Sequence, residues 1–119
     1  MKTDRAFVLQ YAKGSYGTEP EYLWERTPDA GVLRHTSNKK WYGIVMSVSL
    51  DKLGLDSGAK ADILNVKCDP IVLGSFLMKK GYYPAYHMNK RHWLTILLDG
   101  SVPSDEIEML IDGSYELTK

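Results

Sequence analysis

The residues best suited to bind something lie in one short run, His87-Met88-Asn89-Lys90-Arg91-His92-Trp93. Lys90 and Arg91 supply positive charge, and Asn89 with the two imidazoles supplies hydrogen-bond donors, so the run could hold an anion. Its surroundings are skewed in charge. From Pro70 to Leu98 there is no Asp or Glu, yet Lys79, Lys80, His87, Lys90, Arg91 and His92 all fall there. From Asp99 to the end, six acids face one lysine. Tyr82, Tyr83, Tyr86 and Trp93 are interleaved with the cations. Phosphates need the charge and bases need flat rings to stack on, so such a surface suits nucleic acid. A plainer reading stands beside it. In that reading the lysine pairs are solvated ends of elements, Asn89 caps a turn, Trp93 is core and one histidine satisfies a buried carbonyl. Four cations are few for a nucleic-acid surface.

Two other chemistries are open to inspection. His87 and His92 are too few to hold zinc, and Cys68 and Asp69 would have to be brought to them by the fold. No metal and no other cofactor is therefore expected. Cys68 precedes a predicted helix start, where a thiolate gains from the dipole, and a histidine could approach it in space. Against that, Asp69 is adjacent and acidic, and one cysteine at the end of an apolar strand is usually packed. No hydrolase, phosphate-loop or dinucleotide motif is present, so the chain is expected to be non-catalytic.

The elements that must position these residues follow from periodicity and punctuation. Thr3 or Asp4 caps a first helix to about Lys13, with Phe7, Val8 and Tyr11 on one face and Gly14 as its stop. Strands are predicted at Tyr22 to Arg26, Val32 to His35, Trp41 to Leu50 and Ala61 to Lys67. The turns between them are Thr27 to Gly31 and Ser37 to Lys40, and a loop or broken helical turn spans Asp51 to Lys60. In the long strand, Tyr42, Ile44, Met46 and Val48 alternate against Gly43, Val45 and Ser47. Asp69 as N-cap and Pro70 at the first helical position start a helix that runs from Ile71 to Lys80 and stops at Gly81. Tyr82 to Asn89 reads as irregular because of Pro84. A strand at His92 to Leu98 and a helix from Pro103 to about Leu117, buried through Ile107, Leu110, Ile111 and Tyr115, complete the chain. The class is α+β, an antiparallel sheet with helices packed on one face, in the order helix, four strands, helix, strand, helix.

Three blocks resemble the MmcQ/YjbR family. They are Asn65-Val66-Lys67-Cys68-Asp69-Pro70, Pro84-Ala85-Tyr86-His87-Met88-Asn89-Lys90-Arg91-His92-Trp93 and Leu98-Asp99-Gly100-Ser101-Val102-Pro103, followed by Ser114-Tyr115. The first half matches only in its plan of helix then hairpin, and the loop from Asp51 to Lys60 is longer than in the shorter members. The resemblance implies a fold like that of bacterial frataxin homologues (CyaY-like). It also implies DNA binding, through likeness to a "double wing" domain of a phage transcription factor. Residue by residue it points to Lys67, His87, Asn89, Lys90, Arg91 and His92. The turn at Ser37 to Lys40 would add Lys39 and Lys40, with a free sheet face as platform. Frataxin-like folds also suggest iron, which needs a ridge of hard oxygen ligands. The first helix offers only Asp4, so iron is not expected.

Composition bounds these readings. The 119 residues suit one domain, 1–119, with an ordinary core. Fifteen basic residues balance fifteen acidic ones, which excludes a protein that coats nucleic acid by bulk charge. One cysteine allows no internal disulfide and fits a reducing, cytoplasmic setting. No apolar stretch near Met1 to Arg5 reads as a signal peptide, and none approaches the roughly 18 residues of a membrane span. The expected partner is DNA, met by a monomer. The alternative is a small-molecule or protein-binding domain with no nucleic-acid role.

Overall fold

In the computed structural model, which describes residues 3–119, Asp4 opens the first helix by accepting from the Phe7 N–H at 3.0 Å. Met1 and Lys2, part of the stretch expected to lack a leader, lie outside the described residues. The helix, α1 (Arg5–Tyr16), does not stop at Gly14. It continues one more turn to Gly17, whose φ of 67° is the left-handed stop. Tertiary contacts carry it on: the Tyr16 ring stacks on Tyr115 at 3.8 Å, and its hydroxyl donates to Asp112.

Six strands follow: β1 (Glu21–Tyr22), β2 (Gly31–Arg34), β3 (Trp41–Ser49), β4 (Lys60–Lys67), β5 (Tyr82–Pro84) and β6 (Trp93–Leu97). They form one antiparallel sheet in the order β1-β2-β3-β4-β6-β5. The remaining helices are α2 (Pro70–Phe76) and α3 (Ser104–Leu117), and a 3₁₀ turn at Leu50–Leu53 occupies the expected broken segment. The α+β class and the one-sided helix layer hold. The element order needs one correction. Tyr82–Pro84 is a strand, not an irregular segment, pairing with β6 through Tyr82↔Ile96 and Pro84↔Leu94. Proline is tolerated because β5 is an edge strand with a neighbour on one side only.

Asp69 and Pro70 start α2 as expected, with the Asp69 carboxylate accepting from Ile71 N–H at 2.9 Å. The helix ends at Phe76, before the expected Lys80, and the next residues close in tighter bonds, Met78 to Ser75 and Lys79 to Phe76. This brings Lys79 to Glu106 at 2.5 Å.

The strand pleat sorts the core. Leu33, Val45, Leu64, Val66, Leu94 and Ile96 face the helices and pack with Val8, Ala12, Leu73, Ile107 and Ile111. Tyr42 joins them, contrary to the alternation expected along its strand. Leu33 pairs with Gly43 and Arg34 with Trp41, so Tyr42 is the extra residue of a bulge and turns to the helix side. There its hydroxyl donates to Thr18 at 2.5 Å. Ser114 then ties α3 to the sheet: its hydroxyl donates to Tyr42 O at 2.6 Å and accepts from Lys67 N–H at 2.8 Å.

The opposite face is not the free platform expected. Val48, Ile63 and Leu97 are buried there beneath Met46, Leu50, Leu53, Tyr83 and Tyr86. The 3₁₀ turn and the β5–β6 loop supply that cover.

The Glu106 carboxylate accepts from Lys79 and from the Tyr82 hydroxyl, both at 2.5 Å. The Lys79 bond first, and the Tyr82 bond second, hold its pKa below the ordinary value against burial. A carboxyl whose folded pKa is lowered adds stability that is full above its unfolded pKa, about 4.3, and is lost as pH falls through the folded value. Glu106→Gln is therefore expected to flatten the acid limb of stability below about pH 4.3, read by urea unfolding at a series of pH values. An acid limb as steep as that of the unmodified chain would contradict this.

Candidate functional site

Strand register decides which loops meet. Arg34 lies opposite Trp41, Gly43 opposite Val66, Lys67 opposite Trp93 and Leu94 opposite Pro84. The β2–β3 turn, the C-terminal end of β4 and the β5–β6 loop therefore emerge at one end of the sheet. That end collects Lys39, Lys40, Lys67, His87, Lys90, Arg91 and His92. Asp62 and Asp99 lie at the other end, with Leu98 N–H bonded to Asp62 O at 2.9 Å.

The β5–β6 loop, residues 85–92, is anchored from below. Asn65 and Thr95 are fully buried side by side on adjacent strands. The Thr95 hydroxyl donates to Asn65 Oδ1 and accepts from Tyr86 N–H at 2.9 Å, while Asn65 Nδ2 donates to Tyr86 O at 3.1 Å. Both backbone groups of Tyr86 are thus fixed by the sheet. Inside the loop, Lys90 Nζ donates to Ala85 O at 3.0 Å, and Asn89 Oδ1 accepts from Arg91 N–H at 2.8 Å. Asn89 is thereby a turn-former, as the plainer reading had it. His87, Asn89, Lys90, Arg91 and His92 are all exposed. His87 (φ 59°) and Lys39 (φ 65°) are the non-glycine residues with left-handed backbone among those described.

Over this face lies a cavity of about 240 Å³ lined by Trp24, Thr27, Trp41, Ile44, Met46, Asn65, Tyr86, His87 and Met88. Sheet residues make the floor and rings make the walls. Trp24 and Trp41 meet edge to face at 5.7 Å, and the Tyr86 and His87 rings lie 3.9 Å apart. No Asp, Glu, Lys or Arg is among its lining residues. The Asn65 amide, its most polar lining group, is already engaged by Tyr86 and Thr95.

The predicted residues therefore divide. His87 reaches the cavity, and Asn89 to His92 follow it on the same loop. Lys39 and Lys40 stand on the neighbouring turn, exposed. Lys67 turns away and lines a groove between α2 and α3 on the helix side, with Cys68, Val72, Phe76 and Met109. None of Lys39, Lys40, Lys67, Lys90 and Arg91 is in an ion pair among the described residues. The acids that line the groove with Lys67 are committed: Asp69 caps α2, and Glu116 meets Lys119 at 3.6 Å.

Of the interleaved aromatics, only Tyr86 lines the cavity. Tyr82 points to the helix side, against Phe76, because neighbouring residues of a strand face opposite ways. Trp24 and Trp41 were not anticipated as site residues. Their signal was faint: an indole among charges in the predicted strand Tyr22 to Arg26, of which the structure keeps only Tyr22 in β1, and another just after the Lys39-Lys40 turn. Cys68 is 5% exposed, and burial, with Asp69 second, pushes its thiol pKa up, away from a ready thiolate. No helix among the described residues is long and apolar enough to cross a membrane.

A six-stranded antiparallel sheet with helices on one face and a short anchored loop on the other defines an α+β domain of the YjbR type. The sequence model of the YjbR family matches residues 14–117, and the chain belongs to that family. It is 46% identical over 115 residues to the uncharacterized protein YyaQ of Bacillus subtilis, covering 97% of this chain and 98% of YyaQ. A shorter stretch of 33 residues is 52% identical to the uncharacterized protein YjbR of Escherichia coli K12, 28% of each chain. A Pseudomonas syringae protein solved by crystallography is 41% identical, with a TM-score of 0.95 over 98% of this chain and 99% of that one. Deinococcus radiodurans DR2400 shares the fold at 22% identity, with a TM-score of 0.73 over 97% of this chain and 78% of that one.

Proposed function

We propose that the chain is a non-catalytic nucleic-acid-binding module that engages DNA mainly through phosphates. One observation carries the reading. Lys39 and Lys40 on one loop and Lys90 and Arg91 on the next stand at one end of the sheet, and none of the four is in an ion pair among the described residues. Charge left uncompensated at one pole of a chain with no net charge favours an anionic partner.

The test is a salt-dependent anisotropy titration of labelled DNA. At physiological salt the dissociation constant is expected at about 1–100 μM, and lower salt should tighten it. Lys90→Ala with Arg91→Ala should weaken binding and reduce the slope of log K against log salt by about 2. Lys39→Ala with Lys40→Ala, which leaves the anchored loop untouched, should do the same. No anisotropy change at low salt with protein in the tens of micromolar would end this reading.

The cavity itself favours a second reading, a small-molecule binder, because an aromatic cleft without acidic, lysine or arginine lining suits a flat ring. A thermal-shift screen against metabolites and nucleotides separates the two: stabilisation by one compound alone, in a protein that ignores DNA, would select it.

A further inference from the structure

The cavity and the cations share a loop, and their combination narrows the ligand. We propose that the cavity takes one unstacked base, so that the chain prefers single-stranded nucleic acid to duplex. This rests on the nucleic-acid reading above and specifies the partner of the same site.

The walls supply what the face of a base needs and little that its edge needs. Trp24, Trp41, Tyr86 and His87 present rings, and Ile44, Met46 and Met88 fill between them. The Asn65 amide is held by its own partners, which leaves Thr27, His87 and the Tyr86 hydroxyl as the few polar groups at the space. Stacking is tolerant of sequence, because every base has a flat face. At about 240 Å³ the space is smaller than the roughly 300–1,000 Å³ of drug-sized pockets and suits a single ring system. In a duplex the faces of the bases are covered by their neighbours, and only a base out of the stack can enter such a space.

Two further observations bear on a built site. Trp24 stands at the cavity with 41% of its surface exposed, a large apolar ring left to solvent. His87 holds its ring beside Tyr86 through a left-handed backbone, φ 59°, which a non-glycine residue adopts only where its surroundings enforce it. The Tyr86 backbone is locked to Asn65 and Thr95, so this wall is formed before any ligand arrives. Lys90 and Arg91 lie within four residues of His87, placing charge where the phosphates flanking an inserted base would run.

Three probes separate base from phosphate: a short oligothymidylate, an abasic strand of the same length and a duplex of that length. Binding is read by anisotropy and by tryptophan fluorescence. The oligothymidylate is expected to bind about 5- to 150-fold tighter than the abasic strand, the range for one stacked base, and to bind tighter than the duplex. It should also quench the tryptophan emission. Trp24→Ala should bring the oligothymidylate to the abasic level with the salt slope unchanged, and Trp24→Phe should restore most of the difference. Trp24 is exposed, so the fold survives its loss, and a thermal melt verifies this.

Equal binding of the oligothymidylate and the abasic strand would overturn the inference while leaving the phosphate-led reading standing. So would a Trp24→Ala variant weakened equally toward both strands. Thymidine nucleoside bound as tightly as the strand would also overturn it, by giving the cavity to a free small molecule. Failure of all three probes to bind would remove both readings together.

Discussion

Asn65→Ala is expected to destabilise the fold by about 3 kcal/mol and to weaken ligand binding by loosening the Tyr86 wall of the cavity. The side chain is fully buried at the middle of the sheet, beside Thr95 on the next strand. Its loss leaves the Tyr86 carbonyl without its donor and the Thr95 hydroxyl proton without its acceptor. Each such buried orphan costs about 1–3 kcal/mol, and the vacated volume adds to it. At present no buried side-chain polar atom lacks a partner among the described residues. Thr95→Val should also destabilise, by freeing the Tyr86 N–H. The two changes remove parts of one network, so the double variant should lose less than the sum, with a coupling of about 1 kcal/mol or more. Urea unfolding of the four proteins measures this, and strictly additive losses would show that the two residues act separately.

Gly81→Ala is expected to cost about 3 kcal/mol, well above the same change at Gly100. Gly81 precedes β5 with φ 92°, and a Cβ there would lie 2.6 Å from Val102 Cγ2 and 2.9 Å from Ser101 Oγ. Val102 is 1% exposed and has nowhere to retreat. Gly100 has nearly the same φ, 93°, but a Cβ there would meet nothing within 4 Å. Its alanine variant bears only the backbone penalty, about 1 kcal/mol. The difference between the two melts isolates the steric part. Equal losses would mean that Val102 moves freely and that the contact is not limiting.

Much of the architecture was legible because local chemistry and tertiary need agree. Asp69-Pro70 could only start a helix, and the sheet does place helix and strand on either side of it. The long alternation through Ile44, Met46 and Val48 does mark one face. Failures came where a distant contact outweighed a local cue. Gly14 offered a stop, but Tyr16 had partners in Asp112 and Tyr115, some 100 residues away. Pro84 argued against pairing, which holds for central strands but not for an edge. Tyr42 follows the pattern on paper and departs from it at a bulge that no short-range cue announces. The candidate site divides in the same way. His87, Lys90 and Arg91 lie in one run of sequence, where their concentration is visible without the fold. Trp24 and Trp41 belong to the other half of the chain, and only the folded strands bring them to Tyr86.

The margins of the sheet set a rule for whatever this protein meets. β1 has two residues, and β5 has three with Pro84 as its last. Both margins are blunted against a further strand from another molecule, since one is very short and the other ends in a residue without an N–H. Recognition by strand addition is disfavoured by these edges, which turns a partner toward side chains and loops and discourages edge-to-edge stacking of copies when the protein is crowded.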